Sequence, residues 1–600
     1  MPTLVSGLSE MCSFPKNLPL FLKSASIPLQ HAWSPRVHNV CLLQRQEWVK
    51  MIFSRRENEK NVNNFSNIRL QPFASCQPQA RFWHPSRTQA IGSSKMTSYP
   101  FEGVKFVDTP VVPKPEPSNT KYGVRTSDSP AIKNAPLPAE GPSSKHFSNW
   151  TVLALIIVIP SYVTRKLGGG IKTFAFFCLL FVLPILMAYW TLASTFSPRF
   201  NEKCKLPGKP IEDYLTFHDE KLAKKYHGRK IPMETFHELY FANKVSFNGD
   251  ALEILEYRHD WAQFSFTLSL FRFFLLGMIP EVIMHTRSQD EEQVRDHYDR
   301  GDDFYASFLG SRMVYTSGVI SDIESEESLE QLQDNKLKIV CDKIDLQPGE
   351  YLLDLGCGWG TLATYASKVF NAKVTGITLG RNQTKWGNGK LEIQNIPQTQ
   401  SRILCSDYRD TPLATPEGKK YDKITCLEMA EHVGIRKFGS FLVQVYNMLE
   451  DDGLFFLQIA GLRKSWQYED LIWGLFMNKY IFPGADASTP LDFVTAKLEG
   501  SGFEVVSIDN IGVHYSATLW RWYRNWMGNK DTVINKYGVK WFRIWEYFLA
   551  TSTIISRQGS ATCYQIVLRK NINAYHRIEY VPKQKGLLTP VKEGVQNWFK

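Results

Sequence analysis

The sequence predicts an α/β protein built on an open, mostly parallel sheet, with apolar helical segments ahead of it. Three observations predict this. Between about residue 291 and residue 571, short apolar runs of strand length alternate with amphipathic helical sequence. One of those runs ends in an acid and three spaced glycines, YLLDLGCGWG (351–360). Upstream, residues 173–196 form an uncharged apolar run of 24, enough to span a bilayer at about 1.5 Å per residue.

At 600 residues the chain is long enough for several domains. Its 43% apolar and 22% charged residues are those of a globular protein. The net charge of +11 is uneven: residues 1–95 hold twelve Lys and Arg against four Asp and Glu. The remainder is near neutral, which argues against a nucleic-acid binder. The ten cysteines include no CxxC pair, so neither a zinc site nor a disulfide framework is expected, and a reducing compartment is the plain reading.

In chain order, residues 1–95 are basic, rich in Ser, Asn and Gln, and without sustained periodicity. They fit a presequence or a disordered extension with translation starting at Met96, and the lack of a clean amphipathic helix favours the second. Residues 96–147 are Pro-rich and polar and read as a disordered linker. WTVLALIIVIPSYVT (150–164), interrupted by Pro160, and TFAFFCLLFVLPILMAYWTLASTF (173–196) flank the basic, glycine-rich loop RKLGGGIK. A transmembrane hairpin over 148–198 is expected, the alternative being a buried core helix followed by one span. Flanking Lys and Arg do not settle orientation. In the membrane-proximal region 199–290, AQFSFTLSLFRFFLLGMIP (262–280) carries Arg272 at its middle. It reads as an interfacial, lipid-contacting helix or as a packed core helix. From 291 to 571, YLLDLG, AKVTGIT, SRILCSD, YDKITCLEM, GLFFLQIAG and finally TCYQIVLRK read as strands. A basic tail occupies 572–600.

In YLLDLGCGWG, Gly356, Gly358 and Gly360 permit a tight strand-to-helix turn and close approach of a ligand to the backbone. Asp354 ends the strand, placed to face a cationic or hydroxylated group. The spacing G-x-G-x-G departs from the G-x-G-x-x-G of dinucleotide sites. Its place between strand and helix in a doubly wound sheet raises S-adenosylmethionine above a dinucleotide as ligand. At the end of the next strand, where an acid often holds a ribose, stand Thr378, Leu379, Gly380, Arg381, Asn382 and Gln383. The Gln383 amide and Thr378 hydroxyl offer that hydrogen bonding instead.

Six stretches then occur in order: HYDRGDDFYASFLGSRMVYTSGVI (297–320), LLDLGCGWG (352–360), GITLGRNQ (376–383), DYRD (407–410), EMAEHVG (428–434) and NKYIFPG (478–484). Together they resemble the cyclopropane-fatty-acyl-phospholipid synthase family of S-adenosylmethionine-dependent methyltransferases, over roughly 290–571. With the apolar segments and GDALEILEYRHDWA (249–262) added, the chain from 96 onward resembles the fungal sphingolipid C9-methyltransferases. Those enzymes methylate C9 of an 8-unsaturated sphingoid base within a ceramide-type lipid. The resemblance implies a Rossmann-like methyltransferase fold with a mostly parallel seven-stranded sheet, preceded by two transmembrane helices. It implies S-adenosyl-L-methionine as methyl donor and an unsaturated sphingolipid as acceptor, with no nucleic acid involved. An integral membrane protein of the endoplasmic reticulum or another endomembrane is then expected. A soluble donor supplied from the cytosol places the catalytic domain on that side.

The resemblance also carries roles onto residues. Tyr315 and Thr316 match the pair touching the donor's methionine end. Leu352, Leu353, Asp354, Leu355, Gly356, Cys357, Gly358, Trp359 and Gly360 match the main donor loop. Thr378 through Gln383 line the ribose side, and Asp407 and Tyr408 sit beside the adenine. Glu431, in EHVG, and Tyr515, in VHYSATL, match an acid and a tyrosine near the reacting centre. The synthases hold a bicarbonate base partly with a Cys, a Glu, a His and a Tyr. Here the Cys position is Ser317, the His position is Gln458, a further Cys position is Ser552, and Glu428 stands where glycine is common. Two ligands lost from four argue against bicarbonate.

Alkene attack on a sulfonium methyl leaves a cation, and the product depends on which proton then lies within about 3 Å of a base. Glu431 or Glu428, with Tyr515, is expected to handle that proton or shield the cation, and the aromatics of WRWYRNW (520–526) offer π faces to it. The structural alternatives are a buried Glu431 paired with His432 or Arg436, and ordinary core aromatics. His432 and Glu431, being adjacent, face different directions. Asp299, Asp302 and Asp303 position a substrate-side loop more readily than they ligate a metal. Two rival functions remain at this point. One is the same chemistry on phospholipid acyl chains or a sterol, and the other is a catalytically degenerate lipid-binding protein.

Overall fold

The computed structural model describes residues 147–196, 206–278, 300–321, 327–485 and 488–573. It also describes the paired two-residue strands Ser118–Asn119 and Arg125–Thr126. The expectations for 1–95, for most of 96–147, for Asp299 and for the basic tail lie outside these residues.

Helix α1 spans Asn149–Lys166, and the Ser148 hydroxyl caps it by accepting the Thr151 N–H at 3.2 Å. Helix α2 spans Ile171–Phe196 and packs back against α1, with Gly168 at φ +64° in the reversal between them. Among the described residues α2 is the one helix long and apolar enough to cross a membrane. The 18-residue α1, polar at both ends with Asn149, Arg165 and Lys166, is less apolar and is not such a helix. Two helices therefore form where two were expected, and one of them has the length and composition of a span.

The C-terminal turns of α2 are built into the rest of the protein. Trp190 stacks on Trp466 at 5.9 Å between ring centroids, with Phe266 at 5.0 Å and Tyr468 at 5.8 Å. Thr191 Oγ1 donates to the Phe266 carbonyl, and Ser194 Oγ accepts the Phe266 N–H. The stretch read as one helix over 262–280 divides. Ala262–Gln263 pairs with Ile231–Pro232, and the helix begins only at Leu268, widening into a π-turn at Phe274–Met278. Its Leu270, Phe271 and Met278 are core while Leu268 and Leu276 are exposed.

Residues 211–278 share one hydrophobic core with the helices Asp302–Leu309, Gly512–Gly528 and Val539–Arg557. Buried charges lock this seam: Arg258 and His259 meet Glu469, Arg557 meets Glu256, and the Tyr240 hydroxyl donates to Glu546. Breaking such a pair leaves an uncompensated buried charge, so the seam resists separation.

Seven strands form the central sheet: β1 Tyr351–Leu355, β2 Lys373–Thr378, β3 Ser401–Cys405, β4 Tyr421–Leu427, β5 Leu449–Leu462, β6 Phe503–Asn510 and β7 Ala561–Lys570. Their spatial order is 3-2-1-4-5-7-6, with β7 alone antiparallel to its neighbours. This is a Rossmann-like sheet whose chain reverses direction across the sheet at β1 and β4. The strand ends part there, opening a crevice at their C-terminal edge. The sequence runs read as strands all form. The strand not singled out, β6, lies at the sheet edge, carries Glu504 and Asp509, and is mostly half-buried, so it lacks the continuous apolar run of the central strands.

Candidate functional site

A cavity opens at the C-terminal ends of β1, β2 and β4. Asp354, near the end of β1, lines it, 2% exposed, and accepts a hydrogen bond from Thr425 Oγ1 at 2.8 Å. Burial pushes its carboxyl up to about 6, against the pull of Thr425 and of the Lys336 ammonium. The chain then turns so tightly that the N–H groups of Gly356 and Cys357 both reach the Ile377 carbonyl. Gly358 has φ +52°, and a Cβ built there meets nothing within 4 Å, leaving open space on the cavity side. Gly360, at φ +72°, is glycine for a different reason: a Cβ would lie 2.1 Å from Ile403 Cδ1. Trp359 Nε1 donates to Asp302 Oδ1 at 2.8 Å, tying the turn to the helix Asp302–Leu309. Asp303 accepts from Tyr537 and Lys536.

At the end of β2, Thr378 Oγ1 donates to Gln383 Oε1 at 2.6 Å, and both line the cavity with Leu379. Asp407 is gripped by the Arg409 side chain at 2.7 and 2.8 Å, and Tyr408 lies beside it on the cavity wall. From the other side come Tyr315 and Thr316, in the loop after Asp302–Leu309. Tyr315 packs among Tyr305 and Trp522 at 5.6 and 5.5 Å. The cavity thus gathers Tyr315, Thr316, Asp354, Gly356, Cys357, Gly358, Trp359, Thr378, Leu379, Gln383, Asp407 and Tyr408. The expected Leu352, Leu353 and Leu355 are instead fully buried in the sheet core. Gly360, Gly380, Arg381 and Asn382 are not on the wall. Gly360 and Gly380 hold the starts of the helices Thr361–Val369 and Arg381–Ile393, which position their neighbours.

The acids of EMAEHVG separate. Glu428 lines the cavity, and its backbone sits at φ +56°, a left-handed conformation that disfavours any side chain. Donors converge on its carboxyl. Oε1 takes the Ser317 N–H at 3.0 Å and the Gln458 side-chain N–H at 2.6 Å, and Oε2 takes the Tyr515 hydroxyl at 2.7 Å. Cys563 Sγ adds a long contact at 3.6 Å. The Gln458 amide is oriented in turn, its oxygen accepting from Gln565, whose own oxygen accepts from Lys343. Burial and the Glu428 charge push the Tyr515 hydroxyl well above its usual range, keeping it a donor. Glu431 lies elsewhere. Its Oε1 takes the Ala460 N–H at 2.6 Å, and it lines a separate small cavity with Phe438, Ile459 and Phe493. Burial, then the Glu428 charge, pushes its carboxyl up to about 8. Ser552 Oγ is buried without a hydrogen-bond partner among the described residues. In WRWYRNW, Trp526 stacks on Phe542 in the core, while Trp522 bridges the rings of Tyr315 and Tyr515.

One lining residue that sequence reasoning passed over is Lys336, on the helix Leu329–Lys343 and 2% exposed. A lysine among polar neighbours on a helix looks like a surface residue, and only the packing of that helix over the cavity reveals it. The wall suits a ligand with both cationic and anionic groups. Three carboxyls, those of Asp354, Glu428 and the Arg409-paired Asp407, and one buried ammonium face the cavity, and the backbone is bare at Gly358.

The mycolic acid cyclopropane synthetase family model matches residues 285–566. A sphingolipid C9-methyltransferase of Komagataella phaffii is 71% identical over 482 residues, covering 80% of this chain and 98% of that protein. The Candida albicans enzyme of the same name is 64% identical over 505 residues, covering 83% and 98%. Among solved structures, the cyclopropane synthase MmaA2 of Mycobacterium tuberculosis aligns with 47% of this chain and 98% of its own, at 24% identity and a TM-score of 0.43. The fold assignment stands on the strand order above. With identity of this degree running along almost the whole length of those enzymes, the chain belongs to the sphingolipid C9-methyltransferase family.

Proposed function

We propose that the protein methylates C9 of the 8-unsaturated sphingoid base of a ceramide-type lipid, giving a 9-methyl base, with S-adenosyl-L-methionine as donor. Family membership supplies the acceptor. The observation that carries the chemistry is Glu428, a carboxylate held at the cavity wall on a backbone that favours glycine. Such strain persists where the surroundings over-determine it, and it clusters at working sites. When bound, the donor supplies an electrophilic methyl group on a sulfonium. The π electrons of the acceptor alkene would form the new bond at C9 as the S–CH3 bond breaks and its electron pair leaves with sulfur as a neutral thioether, placing the positive charge at C8. Loss of the C9 proton restores the double bond.

Glu428 takes that proton. Among the groups clustered there, Gln458 is an amide without basicity, and Tyr515 is held as a donor. Tyr515, Ser317 and Gln458 fix the carboxylate, so that its negative charge also faces the developing cation. Glu431, outside the cavity wall and protonated at neutral pH, supports the Ala460 segment of β5. The Cys-to-Ser and His-to-Gln differences fit a site in which a resident carboxylate stands in for a bicarbonate ion. Asp354 and the turn at Gly356–Gly360 hold the donor's methionine end and ribose, Thr378 and Gln383 the ribose side, and Asp407 and Tyr408 the adenine.

The hairpin α1–α2 anchors the enzyme in an endomembrane such as the endoplasmic reticulum, with the donor cavity on the cytosolic side. Support comes from the apolar length of α2 and from its exposed Leu179, Leu180 and Leu183. A ceramide does not leave the bilayer readily, each buried methylene being worth about 0.8 kcal/mol. The test is lipid mass spectrometry of cells with and without the gene, in a strain holding no second copy. Deletion should abolish 9-methyl sphingoid bases and raise their unmethylated precursors. Persistence of the 9-methyl bases, or loss of a cyclopropane or methylated sterol instead, refutes the assignment.

A further inference from the structure

Lys336 is a buried cation that the chemistry above leaves unused. It projects from the helix Leu329–Lys343 into the donor cavity, and its Nζ donates to Thr316 Oγ1 at 2.9 Å. An ammonium has three N–H groups. Among the described residues the other two have no acceptor, and neither Asp354 nor Glu428 lies within ion-pair distance of it. The Thr316 hydroxyl accepts from Lys336, so its own proton also points to no acceptor among those residues. Leaving a lysine buried and unpaired is costly. Burial does push this ammonium down, to about 8, while Glu428 and Asp354 draw it back up.

The other strong cation on the cavity wall, Arg409, is already clamped on Asp407 beside Tyr408. The wall therefore presents two unsatisfied N–H donors and one O–H donor side by side, in the cavity that the turn at Gly356–Gly358 also lines. That is a docking point for a carboxylate.

We propose that Lys336, seconded by the Thr316 hydroxyl, binds the α-carboxylate of the methyl donor. The assignment rests on the donor reading given above and deepens it. The donor's ammonium and sulfonium then face Asp354 and Glu428, and its single anionic group faces the single free ammonium. Lys336 is a binding residue that distinguishes the intact donor from one lacking its carboxylate. It fixes the register of the sulfonium methyl relative to Glu428.

The test measures binding to the full-length, detergent-solubilised protein by calorimetry. The two probes are S-adenosyl-L-methionine and its decarboxylated analogue, which lacks only the carboxylate. Wild type should prefer the intact donor. A charge-assisted hydrogen bond in a desolvated site corresponds to a loss of roughly 10- to 100-fold. Lys336→Met and Lys336→Gln should therefore weaken the intact donor by about that factor. Both should leave the analogue unchanged or bound more tightly, so that the preference collapses. An equal loss for both ligands, or no loss for the intact donor, overturns the proposal. Should neither variant fold, wild type alone decides, since equal affinity for the two ligands overturns it. Wild type binding neither ligand would overturn the donor reading itself, an outcome distinct from the others.

Discussion

Replacing Glu428 by glutamine tests the centre of the mechanism with minimal disturbance. The amide matches the carboxylate in shape. With its oxygen in place of Oε1 it still accepts from Ser317 and Gln458, and its NH2 then faces the Tyr515 hydroxyl, which can accept as well as donate. The Ser317 and Gln458 donors keep their acceptor while the Tyr515 proton loses its own, so folding stability should fall by about 1–3 kcal/mol. The backbone strain at φ +56° is common to both residues and cancels. An amide, however, cannot take the C9 proton. Loss of a general base costs about 10²- to 10⁴-fold in turnover, some 3–5 kcal/mol of barrier. The assay is conversion of an 8-unsaturated ceramide in mixed micelles, with product followed by mass spectrometry and donor affinity by calorimetry. Glu428→Gln should bind the donor within a few-fold of wild type and turn over at least about 100-fold more slowly. Turnover within about threefold of wild type would refute the role of Glu428, because no amide performs that step.

The two acids of EMAEHVG should behave oppositely. Glu431 has its folded pKa raised from 4.5 to about 8, so its contribution is fully present below the unfolded pKa and is lost as pH rises through about 8. Glu431→Gln should flatten the fall in Tm between pH 5 and pH 9 while retaining most turnover, and an unchanged pH profile would show Glu431 to be ionised at neutrality. The glycines separate stability from binding. Gly360→Ala meets Ile403 as well as an unfavourable φ, costing about 2–5 kcal/mol together, and should lower Tm sharply. Gly358→Ala carries only the conformational cost of about 1–2 kcal/mol, but its methyl group enters the cavity and should weaken the donor more than it lowers Tm. Trp190→Ala removes the ring that joins α2 to Trp466, Phe266 and Tyr468, at a cost of about 3–5 kcal/mol. It should slow turnover of bilayer-held ceramide more than of a detergent-dispersed short-chain acceptor, and equal slowing would deny the seam an orienting role.

The sequence by itself determined what local physics dictates. Continuous apolar runs bounded by turn residues are buried parallel strands, and an acid followed by alternating glycines at a strand end is a ligand turn. The central strands, the turn at Gly356–Gly360 and the apolar helix 171–196 were legible for that reason. The edge strand β6 was not, because half-burial leaves no apolar signature. Nor was the break at Leu268, where pairing of Ala262–Gln263 with Ile231–Pro232 overrides an apolar run.

Only the tertiary structure decided which polar residues meet. Glu428 and Glu431 stand three positions apart in one motif, yet the left-handed backbone at Glu428 turns that carboxylate to the donor cavity. The 3-10 turn Ala430–His432 carries the other to a separate small cavity. Gln458, Ser317 and Tyr515 come from three distant segments and converge on one carboxyl, and Lys336 reaches the same cavity from a helix with no motif of its own. Periodicity records which face of an element is buried. It does not record which buried faces share a neighbour, and hydrogen bonds across 30, 87 and 111 residues of chain exist only once the sheet and the helices above it have closed.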